Sequence, residues 1–385
     1  MHLIHFGYMG IKMKNLIYIC LLFINGIFFS CSQKTEESNN TLICLDLEKN
    51  IGFKNSNNIN PKELKIIQLE KSDSDFDLTK SRILDITGDT IFMLNNDLIP
   101  TKILMFSLQT GKYLGDINHQ GEGPGEYRFI FGAFVDSKNQ TILIPDIDRP
   151  FAYEYSLISD SLINTYSRPK LNLRLQPIGN VNGDINLGEL KEEGLNILQC
   201  NSKFEVLDSL LLKGKKVMPF ITIWAQSGTD GIIFDNDTLS IIGKKHLFPI
   251  VSLNPGKYKL KEKEAIEIYE GMIYSDEPDS EYLKRLNNYI IVKEFQFTND
   301  NILVTFIYGD NNYSDLYNIH TGEILNRFES EKDFNASGRI VLENEDGNSF
   351  TVENLFTKEN IWYGVSKTTV ISGTIDDISI VKFRI

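Results

Sequence analysis

Phe106–Leu114 reads FSLQTGKYL and Tyr317–Leu325 reads YNIHTGEIL. An aromatic, an aliphatic residue, Thr-Gly, a charge and Leu recur at one offset. Thr-Gly between two apolar runs is a hairpin turn, because glycine accepts the positive φ such a turn needs. The starts, 106 and 317, lie 211 residues apart, a span that four units of about 53 residues would fill, near the ~40–50 of propeller blades. A looser copy, YSLISDSLI, begins at Tyr155. Working outward, apolar runs of four to seven residues alternate with turn clusters: IFMLNN from Ile91, TILIPD from Thr141, NILVTFIYGD from Asn301. Several have period two and none sustains a 3.6 period, which predicts short strands. The span from about Ser81 to Ile385 holds about six such units. Radial repetition leaves only short sheet edges exposed. The expectation is an all-β, six-bladed β-propeller of four-stranded antiparallel blades over residues 41–385. ELKIIQLE from Glu63 has the alternation to complete a blade built by the last strand, DISIVKFRI from Asp377.

One segment breaks the strand pattern. KEKEAIEIYEG from Lys261 and EPDSEYLKRLNNY from Glu277 read as two short helices, the second started by Pro278, Asp279 and Ser280. They predict a small helical insertion at about 260–289, between blades four and five.

His119–Phe129 reads HQGEGPGEYRF. As a phosphate loop it fails: the glycine spacing is wrong, Pro124 removes an N–H, and two glutamates repel an anion. It reads instead as a structural corner between two blades, built on Gly121, Gly123, Pro124, Gly125, Glu126 and Tyr127. The glycines permit backbone angles closed to other residues, Pro124 fixes φ and Tyr127 anchors the loop.

The first thirty residues read as a signal peptide. Lys12 and Lys14 precede an apolar run, Leu16–Phe29, then Ser30 and Cys31. The run is shorter than the ~20 residues of a spanning helix. FFSC, ending at Cys31, resembles a lipobox, with Phe28 where Leu is usual, so Cys31 is the expected lipidation site. Residues 31–40 are polar, as a tether after a lipidated cysteine would be. Cys44 and Cys200 sit in apolar, strand-like contexts and read as two buried thiols, with a disulfide as the other possibility.

The corner, with the Asp-x-x-x-Gln of Asp136–Gln140 and Asp146 downstream, resembles the six-bladed β-propeller lipoproteins of Bacteroidetes, related in form to NHL-type and TolB-like propellers. The segment from Asp237 to Leu260 and the terminal strand are similar to that family as well, while Ser330–Ser372 departs from its pattern. The resemblance implies an outer-membrane lipoprotein, periplasmic or surface-exposed. It implies no established activity.

Thirty-nine Lys and Arg stand against 52 Asp and Glu, a net charge of -13. No basic run offsets it, which argues against a nucleic-acid partner. His119, His246 and His320 fall in separate units, and no zinc spacing, HExxH or G-x-S-x-G occurs. No catalytic residue, metal ligand or cofactor is assigned. Asp146, Asp148 and Arg149, in PDIDRP, are the binding candidates, set against a solvated turn. NEDGN from Asn344 lacks the spacing of a calcium loop and reads as a hairpin turn. The expected function is a non-catalytic scaffold, held to a membrane by its lipid, for an unidentified peptide, glycan or protein. The alternative is a propeller lyase or hydrolase acting on an exported polysaccharide or peptide.

Overall fold

The computed structural model describes residues 43–54, 58–70, 78, 81–95, 101–130, 132–146, 148–167, 175–181, 184–191, 194–213, 222–224, 231–234, 238–242, 247–261, 263–268, 281, 284–332, 338–369 and 375–385. The chain is all-β, with small sheets in a propeller arrangement. Two strands come first, β1 (Ile43–Asp46) and β2 (Glu63–Gln68), with the single-turn helix α1 (Leu47–Asn50) between them. Sheet I holds β3 (Ser81–Thr87), β4 (Thr90–Asn95), β5 (Lys102–Ser107) and β6 (Tyr113–Ile117). Sheet II holds β7 (Phe134–Asp136), β8 (Thr141–Pro145), β9 (Phe151–Ser156) and β10 (Leu162–Ser167). Sheet III holds β11 (Leu175–Val181), β12 (Asp184–Lys191), β13 (Gly194–Cys200) and β14 (Val206–Lys213). Sheet IV holds β15 (Thr222–Trp224), β16 (Gly231–Phe234), β17 (Thr238–Ile242) and β18 (Leu247–Asn254), with β1 added. Sheet V holds β19 (Ile291–Phe297), β20 (Asn301–Tyr308), β21 (Asn311–Asn318) and β22 (Ile324–Glu331). Sheet VI holds β23 (Arg339–Glu343), β24 (Ser349–Lys358), β25 (Ile361–Thr369) and β26 (Ile375–Arg384), with β2 added.

This corrects the expectation of uniform four-stranded blades, since sheets IV and VI have five strands each. β1 pairs parallel to β18, from Ile43 opposite Val251 to Asp46 opposite Asn254. β2 pairs antiparallel to β26, from Glu63 opposite Arg384 to Gln68 opposite Ser379. Sheet VI departs further. The first strands β3 and β7 meet, as do β15 and β19, but the strand that meets both β19 and β3 is β24. A register shift after Glu353 and a positive φ of 48° at Asn354 bend β24. Its first half pairs with β23 and its second half with β25. β23 is therefore an extra strand. The remaining four, β24, β25, β26 and β2, make the unit that matches the other sheets. This extra strand is why Ser330–Ser372 departs from the repeat.

Apolar side chains from adjoining sheets interdigitate. Leu84, Leu94, Tyr127, Ile142 and Tyr153 join sheets I and II, and Phe134, Leu187, Leu198 and Phe204 join II and III. Leu45, Leu253, Val292 and Phe306 join IV and V, Leu316, Phe328, Leu342 and Trp362 join V and VI, and Ile67, Phe356, Ile380, Ile83 and Phe106 join VI and I. Burial at about 25 cal/mol per Å² of apolar surface makes these five seams the main cohesive term.

The two Thr-Gly hairpins occupy equivalent places. Both join the third and fourth strands of their sheets, and those sheets, I and V, are four steps apart. Each also receives an N-terminal strand. Gly111, at φ 72°, has room for no side chain, since a Cβ would lie 1.9 Å from the carbonyl oxygen of Gln68 at the end of β2. Gly322, also at φ 72°, has a would-be Cβ 2.8 Å from Ile43 Cγ2 and 3.1 Å from the Cys44 oxygen, on β1. In sheet II the equivalent residue is Asp160, at φ 48°. Its N–H donates to Ser156 at 3.0 Å, as Gly111 donates to Ser107 at 2.8 Å and Gly322 to Asn318 at 2.9 Å.

Between β1 and β2 the chain crosses sheet V. Arg327 on β22 donates from Nη1 to the carbonyls of Ile51 and Phe53 at 3.0 and 3.4 Å. Its Nε and Nη2 each donate to Asp315 at 2.6 Å. The guanidinium lies over the rings of Tyr313 and Phe306, at 4.8 and 5.7 Å from their centroids. Arg327 and Asp315 are buried. Such a pair holds geometry because either ion alone would be uncompensated.

The expected helical insertion at about 260–289 lies partly outside the described residues. Residues 263–268 are helical, and a 3-10 turn covers Leu286–Asn288. Leu260, Ala265, Ile268 and Leu286 pack on Ile291 and Ile307 of sheet V.

Gly88, at φ 59°, has nothing within 4 Å of a would-be Cβ. Gly88→Ala is thus expected to cost only the left-handed penalty, about 1–2 kcal/mol, while Gly111→Ala costs clearly more because it pushes on β2. Urea unfolding of both variants measures this, and equal losses would show that β2 is not seated on that hairpin.

Candidate functional site

The corner is a closed hydrogen-bond knot. Tyr127 is fully buried, and its hydroxyl donates to the Thr101 carbonyl at 3.1 Å while accepting from the His119 N–H at 3.3 Å. Burial pushes its phenol well up. Glu126 turns back to accept from the Gly123 N–H at 2.6 Å. Gly121 leaves room for that carboxylate, since a Cβ would lie 2.0 Å from Glu126 Oε2 and displace it. Gly125, at φ 78°, faces Leu162 of β10, and its carbonyl accepts from the Tyr155 hydroxyl at 2.6 Å. His119 stacks on Tyr155, centroids 4.3 Å apart, and its Nε2 lies 2.8 Å from Asp160.

Asp146 and Arg149 belong to this knot, while Asp148 lies exposed on the same turn. Asp146 is fully buried. It accepts from the backbone of Arg128 at 2.8 Å, Asp148 at 2.9 Å and Arg149 at 3.3 Å. Arg149 donates to the Glu126 carbonyl at 2.8 Å and the Gly121 carbonyl at 3.3 Å, and to Glu122 at 2.8 Å. Carboxylate takes N–H groups and guanidinium takes carbonyls, so this loop's polar backbone is satisfied without a ladder. Asp148 contributes only a backbone N–H.

A second polar set lies on the strands that meet around the axis, and sequence reading missed it. Lys358 of β24 bonds Asp85 of β3 at 2.7 Å. Thr357 of β24 donates to Gln296 of β19 at 3.4 Å. Asn354 donates to the Ser81 carbonyl at 3.1 Å. Arg82 of β3 and Glu294 of β19 face one another electrostatically. Both side chains are half-buried. Burial lowers Arg82 to about 10, with Glu294 opposing the fall. Burial raises Glu294, against the Gly338 N–H that bonds it and the charges of Lys293 and Arg82. The available signal was a charge within otherwise apolar first strands, SRILDIT and IVKEFQF.

The other candidates separate. His320 lies by Asp300 at 3.4 Å on the surface, and His246 lies outside the described residues. Cys200 is buried and its thiol raised to about 11 by burial. Cys44 is exposed, not buried as expected, because its side chain leaves β1 on the solvent side. Both are free, so the disulfide is not formed. NEDGN is a hairpin turn, with the Asn344 side chain accepting from Asp346 at 3.1 Å and Asn348 at 2.8 Å. Among the described residues no group of three or more His, Cys, Asp or Glu is placed to hold a metal. An open cleft of roughly 610 Å³ lies between Asn60–Leu64 and Glu343–Gly347 and is mostly polar.

Residues 42–367 match a domain of unknown function, DUF4934. The chain belongs to the DUF4934 family. No curated protein matches it. Among solved structures it is similar to a candidate exported protein of Bacteroides fragilis, 15% identical, with a TM-score of 0.58, covering 89% of this chain and 100% of that one. A DUF4221 member from Bacteroides vulgatus is 10% identical, with a TM-score of 0.46 over 84% of this chain and 96% of that one. At these identities the first likeness supports the fold of the DUF4934 chain and nothing finer.

The raised Glu294 has a signed consequence. The folded chain holds this proton more tightly than the unfolded one, so the group's contribution to stability falls as pH rises from the ordinary glutamate value, about 4.3, through the raised one. Glu294→Gln keeps an acceptor for Gly338 and removes the titration. The melting temperature of the wild type minus that of the variant is expected to fall across this window, then level. A difference that grows with pH overturns the assignment.

Proposed function

We propose that this chain is a lipid-tethered, non-catalytic β-propeller of the cell envelope that binds a peptide, glycan or protein at its axial opening. In this reading each of the six sheets is one blade of a closed NHL/TolB-like ring, and Cys31 carries the lipid. The observation that carries binding over turnover is the state of the axial side chains: Lys358 is engaged by Asp85, Gln296 by Thr357, and Asn354 by Ser81. Groups held by one another present a preformed polar surface and have no spare base beside a nucleophile. Export is supported by the apolar run that ends at Cys31 and by the likeness to a candidate exported protein. No described helix is long and apolar enough to cross a membrane. Cys31 itself lies outside the described residues. Several acyl chains would anchor firmly where one anchors weakly.

Two measurements test this. Cys31→Ser is expected to move the protein from the membrane pellet to the soluble fraction, and retention in the pellet would favour an uncleaved apolar segment. The detergent-solubilised protein, screened against glycan and peptide libraries, is expected to retain a ligand and release no product. Turnover of any library member, lost on changing one axial residue, would establish the lyase or hydrolase alternative instead.

A further inference from the structure

We propose that the protein rests one end of its propeller on a lipid surface through a belt of four exposed aliphatic side chains, Leu114, Ile163, Leu207 and Leu325. This rests on the ring and the lipid tether of the reading above, and it gives the tethered domain an orientation.

The four residues hold one place in the fold. Each lies three positions after the left-handed residue of the hairpin between the third and fourth strands of its sheet. Those residues are Gly111, Asp160, Phe204 and Gly322, at φ 72°, 48°, 62° and 72°. Each of the four is also the extra residue of a register shift. Tyr113 pairs with Phe106 and Gly115 with Met105, which leaves out Leu114. Ile163 is left out between Leu162 and Asn164, Leu207 between Val206 and Asp208, and Leu325 between Ile324 and Asn326. A bulge re-aims the side chain that it leaves unpaired. Here it turns an aliphatic group outward on the outermost strand of sheets I, II, III and V, at 51, 47, 55 and 42% exposure. One exposed leucine needs no explanation; the same bulged position taken by an exposed aliphatic in four sheets does.

The belt lies at one end of the ring. The chain entering the hairpin bonds the turn between the first and second strands of the same sheet: Leu108 donates to Asp89 at 2.7 Å, Leu157 to Gln140 at 2.9 Å and Ile319 to Asp300 at 2.9 Å. Positions related by rotation about a ring axis lie in one plane perpendicular to it, so the belt can meet a flat surface all at once. Ile158, at the tip of the β9–β10 hairpin, is 81% exposed and adds to that end. The four hairpins carry Lys112 and Lys203 against Asp160, Glu205 and Glu323. They hold little of the chain's net charge of -13, so a zwitterionic lipid surface is not opposed there.

The tether selects lipid as the occupant. Ile43 packs against the β21–β22 hairpin that carries Leu325, with its Cγ2 2.8 Å from a would-be Cβ of Gly322. Cys31 precedes Ile43 by twelve residues, a reach of at most about 40 Å. A lipid on Cys31 therefore stays within that distance of the belt. Presenting the opposite end would use up roughly 25 Å of it on the length of an eight-residue strand such as β21. Four half-exposed side chains hold a membrane weakly by themselves, and the anchor raises their effective concentration at the surface.

Depth-dependent quenching tests this. The full-length lipidated protein, with Cys44→Ser, is labelled with an environment-sensitive fluorophore at Leu207→Cys, Leu325→Cys or Asp148→Cys. Cys200 is buried and stays unlabelled, and Asp148 lies exposed on the β8–β9 turn, at the other end of its sheet. On phosphatidylcholine vesicles containing spin-labelled lipid, quenching at positions 207 and 325 is expected to exceed that at 148 at least threefold. Replacing Leu114, Ile163 and Leu325 together by Asn is expected to lower quenching at 207 at least threefold while the protein stays on the vesicles. Equal quenching at all three positions, or indifference to the triple replacement, overturns the belt. A change in emission that grows with protein concentration in vesicle-free detergent assigns the belt to a second copy and overturns it too. If Cys31→Ser releases the protein while position 207 of the lipidated form is unquenched, the tether stands and the belt falls. If Cys31→Ser still pellets and the labels are unquenched, tether and belt fall together.

Discussion

Six residues of β2 against the last ten-residue strand form the contact on which the rest of the fold depends. The ladder from Glu63–Arg384 to Gln68–Ser379 gives β26 its outer partner. Without it, β26 would present a row of unpaired N–H and C=O groups, and Ile67 would leave the core it shares with Ile83, Phe356 and Ile380. The ladder and the VI–I seam stand or fall together. The loop they close is more than three hundred residues long, yet closure entropy grows only with the logarithm of loop length. A few backbone hydrogen bonds and one apolar seam suffice to offset it.

The same device appears twice, and the Thr-Gly hairpins are its seats. β2 passes beneath Gly111 and β1 beneath Gly322, each too close for a side chain. At the I–II seam the corresponding space is filled by the Pro-Gly corner. There the hairpin residue is Asp160, and the approach is made through the His119 ring and the Gly125 face. A side chain is tolerated at the third hairpin because no strand backbone crosses it. The glycine-rich corner is thus an alternative filling for a space that N-terminal strands occupy elsewhere, which accounts for its dense internal hydrogen bonding.

These relations were legible in the sequence to different depths. The 211-residue offset of the hairpins gave four steps between sheets because turn chemistry and strand period repeat together. The pairing of ELKIIQLE with the terminal strand followed from alternation alone. β1 was not legible: ICLD is four residues, too short to show a period. SRILDIT, with Arg82 and Asp85 inside it, is the first strand of sheet I, and YLGDI is its fourth. The extra strand β23 hid in the segment that broke the repeat, and its cause, a bend at Asn354, carries no sequence signal beyond an asparagine able to adopt positive φ. Cys44 read as buried because its neighbours are apolar, whereas an edge strand buries only alternate residues.

The polar residues divide along the same line as the seams. Where two sheets meet away from the axis, the described contact is mainly apolar, and the buried Arg327–Asp315 pair stands where the chain crosses sheet V, with Arg327 holding Ile51 and Phe53. The polar residues of the first strands that meet from neighbouring sheets are Asp85, Lys358, Gln296, Thr357, Arg82 and Glu294. Most of these are satisfied by a neighbour from the adjoining sheet, which makes them structural as well as available. The Arg82–Glu294 couple is the exception in kind, since it spans from sheet I to sheet V past β24 and not between adjoining strands. Such a long-range influence holds the sheets less tightly than the apolar seams do. The cohesion of the fold therefore rests on its apolar seams, with the polar residues of the first strands adding contacts between adjoining sheets.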